Sequence, residues 1–199
     1  MALYPIFLKL EGRKVLIVGG GKIAEEKTYA VLRSAKDVTV VAPEITARMQ
    51  EWRKEGLIQH IAGLYQPGMA SAFFLVIACT DSESVNRRVY EEAQTSGVLC
   101  NAVDDPSYCD FYAPAVVSRG DFQIAISTGG QSPALAQRVR KALEEDFGPE
   151  YASWTGWLGR MREGIIHALP RSRRRTELLH LLAASRPAAR QKQFKEAES

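Results

Sequence analysis

Gly19, Gly21 and Ala24 lie in the stretch KVLIVGGGKIAEEK, residues 14–27, at the spacing G-x-G-x-x-A. The residues before them read as a buried strand and those after them as a helix. Glycines at such a junction let backbone N–H groups and a helix N-terminus close on a pyrophosphate, which is dinucleotide-binding chemistry. The alternative is a tight strand-to-helix turn without a ligand. A P-loop is excluded, because G-x-x-x-x-G-K-[ST] would need a glycine at Leu16 and a hydroxyl at Ile23. No acidic residue stands at the tip of the second apolar run, DVTVVA (37–42), where a ribose is usually held. Glu44 follows directly after Pro43 and approaches the ribose from the loop instead. An acid there, with no Arg adjacent in sequence, favours NAD over NADP.

Other chemistries find less support. None of the seven tyrosines has a lysine four residues on, so a short-chain dehydrogenase pair is absent. His60, His167 and His180 form no ligand-spaced set, and no stored metal site is read. Cys79, Cys100 and Cys109 form no C-x-x-C pair, which argues against a disulfide framework; Cys79 and Cys100 sit in apolar runs as small core residues.

The elements that must position the glycine turn follow from periodicity. KVLIVG (14–19), DVTVVA (37–42), LIQHIAG (57–63), SAFFLVIACT (71–80) and VLCNAV (98–103) are expected strands. Between them lie helices: Ala24, Thr28, Val31, Leu32 and Ala35 on one face; Ile45, Met49 and Trp52 on the next, ended near Gly56; then Val85, Val89 and Ala93, capped by Asp81 or Ser82 and stopped at Gly97. This alternation predicts a doubly wound parallel α/β sheet, and the continuous apolar run of the fourth strand predicts cover on both faces. The rhythm then changes. APAVVSRGDFQIAIS (113–127) reads as a hairpin turning at Arg119, Gly120 and Asp121. A helix capped by Ser132, opened by Pro133 and ended at Gly148 follows, with Leu135, Val139, Leu143 and Phe147 as its buried stripe. Trp154, Trp157, Leu158, Met161 and Ile165 share one side of a further helix, and Leu178, Leu179 and Leu182 one side of another. The expected domains are 1–112, 113–148 and 149–199, the last ending in a disordered tail.

The chain has 199 residues, 46% hydrophobic and 25% charged, the composition of a folded soluble protein. Its longest apolar run is far below the roughly 20 residues that cross a bilayer, and the start lacks a secretory pattern, so a cytoplasmic setting without a membrane partner is expected. Residues 151–199 carry ten Lys or Arg against four Asp or Glu, a charge of +6; the whole chain is 26 − 23 = +3, which leaves −3 for residues 1–150. The run Arg171 to Arg175 reads as a solvated helix start, with a polyanion lure as the alternative. Nucleic acid is not an expected partner, because no aromatic platform is interleaved with the basic run.

Three stretches, YPIFLKLEGRKVLIVGGGKIAEEK, NAVDDP and ISTGGQSPALAQRVR, appear in the order seen in the precorrin-2 dehydrogenase/sirohydrochlorin ferrochelatase family, and the chain resembles that family over about residues 3–148. The resemblance implies a Rossmann-like NAD-binding domain, a small α+β dimerisation region formed by the hairpin and its helix, a helical C-terminal region and a homodimer. It implies oxidation of the tetrapyrrole precorrin-2 to sirohydrochlorin, with NAD taking the hydride, followed in some members by insertion of ferrous iron (or cobalt). Its NAD contacts fall on Lys22, Ile23, Pro43 and Glu44, beside Gly19 and Gly21. The acid of its N-x-V-D motif falls on Asp104, after Asn101 and Val103. Asp104 then stands at the C-terminal end of the fifth strand, where ligands of open α/β folds bind, and a carboxylate there suits proton removal; the alternative is that Asp104 and Asp105 only shape a turn before Pro106. Asn101, Thr128, Gly129, Gly130 and Ser132 are the candidate substrate contacts, the last four as a helix N-terminus for a substrate carboxylate or, equally, a plain capped start. A non-catalytic, NAD-sensing regulatory module stands as the alternative function.

Overall fold

The computed structural model describes residues 3–103, 105–184 and 187. Residues 1–113 and 114–199 form two compact units.

The first unit is a parallel sheet of β1 (Lys14–Val18), β2 (Asp37–Ala42), β3 (Gln59–Ala62), β4 (Leu75–Ala78) and β5 (Leu99–Ala102), in the order β3-β2-β1-β4-β5. Three helices join the strands: α1 (Lys22–Leu32), α2 (Ala47–Lys54) and α3 (Glu83–Ser96). The apolar runs are continuous because both faces are covered. Val15 and Ile17 pack with Ala24, Val31, Met49 and Trp52 on one face, whereas Leu16 and Val18 pack with Val89 and Ala93 on the other. The expected doubly wound architecture is what forms.

Boundaries shift where side chains intervene. The fourth strand is shorter than 71–80, since Ala70–Ala72 form a 3-10 turn. Glu92 of α3 holds that turn, its carboxylate accepting from the N–H of Gly68 at 2.9 Å and of Ala70 at 2.8 Å. Ser82 occupies the N-cap position of α3 but does not cap it with its side chain; its hydroxyl meets that of Ser84. Asn86 instead ties α3 to the end of β4, accepting from the N–H and hydroxyl of Thr80 and donating to its carbonyl. Gly97 ends α3 in the left-handed conformation, φ 67°, as its position after Ser96 requires.

The second unit begins with the antiparallel hairpin β6 (Ala115–Arg119) and β7 (Phe122–Ile126), turning through Gly120 at φ 61° and Asp121. α4 (Pro133–Asp146), α5 (Glu150–Ala168) and α6 (Arg173–Ala184) follow. Ser132 caps α4 by accepting from the Leu135 N–H. Leu135, expected in the buried stripe of α4, is 42% exposed; Ala136 is buried, with Val139, Leu143 and Phe147 half-buried. The stripe runs 136, 139, 143, 147, and Leu135 sits at its margin, about 100° round the helix from the buried Ala136. On α5, Trp157 and Met161 likewise face solvent, whereas Trp154 and Tyr151 join Phe122 and Phe147 in an aromatic cluster. Leu178 of α6 is exposed.

Candidate functional site

The β1–α1 turn is stitched to both neighbouring strands. The N–H of Gly19 donates to the Val41 carbonyl at 2.9 Å, and that of Cys79 donates to the Val18 carbonyl at 2.8 Å. Each of the three glycines has a different physical reason. Gly19 adopts φ 132°, and a Cβ there would stand 2.6 Å from the Cys79 carbonyl oxygen. A Cβ on Gly20 would overlap the Glu44 carbonyl oxygen and stand 2.8 Å from the Ala42 side chain. Gly21 meets nothing: no chain atom lies within 4 Å of where its Cβ would be, and its φ of −81° suits any residue. Its missing side chain leaves open space at the start of α1, whose N-cap bears no side-chain hydrogen bond. Free N–H donors, the positive end of the helix dipole and open space above a glycine together fit a dinucleotide pyrophosphate.

Folding brings the predicted cofactor positions together. Thr46 donates its N–H to the Gly20 carbonyl at 3.1 Å, which draws the loop of Pro43 and Glu44 against the turn that leads into Lys22 and Ile23. Gly20 is the residue that sequence reasoning missed. Its signal was available, because three consecutive glycines exceed what the G-x-G-x-x-A pattern requires.

Beside the turn lies a cavity of about 560 Å³ lined by Pro43, Glu44, Ile45, Gln50, Arg53, Lys54 and His60. The sequence shows no Arg adjacent to Glu44, yet α2 carries Arg53 and Lys54 onto the wall of the same cavity. His60 reaches from β3 to the Ala42 carbonyl through Nε2 at 2.9 Å; since a carbonyl only accepts, that nitrogen carries the proton and the buried Nδ1 is left without a partner. Near the glycine turn, burial pushes the Cys79 thiol up to about 12, which leaves it protonated and inert.

At the other predicted position, Asp104 itself lies outside the described residues. Its surroundings are defined. Asn101, 8% exposed, donates its side-chain amide to the Phe111 carbonyl at 2.7 Å and to Cys109 Sγ at 3.2 Å, so the hydrogens of that amide are used within the chain. Asp105 caps the 3-10 turn Pro106–Tyr108, its carboxylate accepting from the Ser107 N–H at 2.9 Å.

Thr128, Gly129, Gly130 and Ser132 belong to the second unit. Thr128 Oγ1 accepts from the Ser132 N–H at 3.0 Å, and Gly129 and Gly130 adopt φ of 61° and 82° with open space above both. Most of the N–H groups of this turn are used within the chain: that of Gly129 donates to Ser127 Oγ at 3.1 Å, that of Gln131 to the Thr128 carbonyl at 3.1 Å and that of Ser132 to Thr128 Oγ1.

Comparison with known proteins follows this division. A family profile described as putative NAD(P)-binding matches residues 6–115, and one described as the central part of a sirohaem biosynthesis protein matches residues 119–145. Siroheme synthase 2 of Yersinia enterocolitica is 36% identical over 165 residues, which cover 83% of this chain and 35% of that protein. The siroheme synthase of Methylobacillus flagellatus is 37% identical over 165 residues, with the same shares. The chain thus spans about a third of the length of these curated relatives. The solved structure of SirC, a precorrin-2 dehydrogenase, matches with a TM-score of 0.76 at 30% identity, over 98% of both chains. With an NAD(P)-binding unit built on a stitched glycine turn and a second unit matching the sirohaem central region, the chain belongs to the precorrin-2 dehydrogenase/sirohydrochlorin ferrochelatase family.

Proposed function

We propose that the protein oxidises precorrin-2 to sirohydrochlorin in siroheme or cobalamin formation, with NAD as the hydride acceptor. The observation that carries this reading is the two-way 98% overlap with a precorrin-2 dehydrogenase, because it includes the second unit as well as the widely shared dinucleotide-binding one. When bound, the nicotinamide supplies the acceptor for the hydride. The glycine turn and the first N–H groups of α1 hold the pyrophosphate, Lys22 and Ile23 flank it, and Pro43 and Glu44 hold the adenosine ribose. The oxidation removes one hydride and one proton from the macrocycle, so a base is needed. Asp104, which follows Val103 just after β5, is assigned that proton. Asn101 holds the edge of that site within the first unit.

Iron insertion is the second half of the proposal. Ferrous iron (or cobalt) would enter as a substrate while the two pyrrole protons leave one after the other, each taken by the same carboxylate and passed on to water. We take the setting to be cytoplasmic, the partners to be the tetrapyrrole and a second copy of the chain, and nucleic acid and membrane to play no part. No helix among the described residues is long and apolar enough to cross a membrane. Support for a homodimer comes from the exposed apolar side chains of Leu3, Tyr4, Ile6 and Phe7.

The test is NADH absorbance after anaerobic mixing of the protein with NAD and precorrin-2, beside Asp104→Asn. NADH should form with the unaltered protein and fall by about 10²–10⁴-fold in rate with the variant. Replacing NAD by NADP should lower the yield, and adding Fe²⁺ or Co²⁺ should produce the metallated spectrum. NAD binding without NADH formation would sink the dehydrogenase and leave the sensing module.

A further inference from the structure

The cavity beside the glycine turn carries charges of both signs: Glu44 on the loop after β2, and Arg53 and Lys54 on the last turn of α2. Three tethers fix that loop to its surroundings. Gln50 of α2 donates to the Ile45 carbonyl at 3.3 Å, His60 of β3 donates to the Ala42 carbonyl at 2.9 Å, and the Thr46 N–H donates to the Gly20 carbonyl at 3.1 Å. Arg53 and Lys54 come three and four residues after Gln50, so the three share one face of α2. Side chains lean toward the N-terminus of their helix, which directs both cations back toward Gln50 and the Glu44 loop. Neither cation is neutralised there. Among the described residues no ion pair engages Arg53, Lys54 or Glu44, and the Glu51 carboxylate of the same helix is taken by Arg48 at 2.7 Å. At about 560 Å³ the cavity falls in the size range of small-molecule sites.

From this arrangement we infer that Arg53 and Lys54 form a seat for the 2′-phosphate of NADP, and that the preference for NAD is held by the Glu44 carboxylate rather than by a lack of cations. The inference rests on the proposed reading in which a dinucleotide sits at the glycine turn with its adenosine ribose at Glu44. NADP differs from NAD by one phosphate on the ribose 2′-oxygen, a group of about −1.5 to −2 charge near pH 7. Two cations match that charge. The guanidinium forks onto two phosphate oxygens, whereas the ammonium acts as a point charge. Glu44 opposes the same ligand. A carboxylate accepts a hydrogen bond from a 2′-hydroxyl but repels a phosphate at that position, so it selects NAD by exclusion. The hydride step is unaffected, because the added phosphate is at the adenosine end, away from the nicotinamide.

The experiment measures kcat/KM for NAD and for NADP with precorrin-2, in the unaltered full chain and in Glu44→Gln, alone and combined with Arg53→Met and Lys54→Met. Calorimetric titration with adenosine 2′,5′-bisphosphate and with AMP makes the same comparison without turnover. All three side chains are exposed, so the variants should stay folded, which thermal unfolding checks. The seat predicts that E44Q raises the NADP-to-NAD ratio of kcat/KM by about tenfold or more, and that E44Q/R53M/K54M returns it close to that of the unaltered protein. The ratio of bisphosphate to AMP affinity should follow the same order. No rise in E44Q would overturn the seat. So would a rise that survives the loss of both cations, which would leave them serving only the C-terminal end of α2. Failure of the dinucleotide reading looks different. If neither NAD nor NADP binds the unaltered protein, that reading fails and the seat falls with it; if NAD binds and E44Q gains nothing for NADP, the seat alone fails.

Discussion

Among the residues, the glycines of the first turn divide structural need from ligand need. Gly20 is required by the chain itself, since a Cβ there would overlap the Glu44 carbonyl and press on Ala42. Gly20→Ala should therefore lower stability by about 1–3 kcal/mol, displace the Glu44 loop and abolish NAD binding together. Gly21 has neither a left-handed φ nor a neighbour for its Cβ. Gly21→Ala should leave the melting temperature unchanged while weakening NAD about tenfold, or about 1.4 kcal/mol. Thermal unfolding with and without NAD checks both variants. A G21A protein with undiminished NAD affinity would mean that the open space is not the pyrophosphate site.

At the scale of the elements, side chains rather than loops decide where several of them end. Glu92 replaces the start of the expected fourth strand with a 3-10 turn, and Asn86 ties the first turn of α3 back to Thr80, where a capping hydroxyl was expected and none forms. Neither was apparent from periodicity, because each acts across more than one element or turn. Arg119 is a similar case. In the sequence it belongs to a hairpin turn; folded, its guanidinium donates to the Phe147 carbonyl at 2.8 Å and to the Glu144 carbonyl at 3.4 Å, capping the C-terminal end of α4. Arg119→Met should keep the aliphatic stem and cost the second unit about 0.5–2 kcal/mol. Urea unfolding followed by the fluorescence of the tryptophans checks this; an unchanged midpoint would show that the cap is not needed.

The whole molecule joins an NAD(P)-binding unit to a second unit that matches the central part of a sirohaem biosynthesis protein. The apolar side chains of residues 3–8 that lie open in one copy, Tyr4 most of all at 87% exposure, need a cover that a partner copy would supply. Light scattering should read twice the 22.1 kDa chain mass. Replacing Ile6 and Phe7 by serine should shift it toward the single chain. A monomeric reading for the unaltered protein would remove the homodimer from the proposal.

By itself the sequence determined the order and type of the elements, the parallel sheet and the place of the glycine turn. These follow from local periodicity, glycine spacing and caps, all carried within a few residues of one another. It also carried the three stretches from which the family resemblance was read. Only the tertiary structure decided that Gly20 must lack a side chain and that Arg53 and Lys54 share a cavity with Glu44. Each of these is a contact between chain segments whose separation no local pattern encodes, and it exists only once the sheet has brought their ends to the same edge.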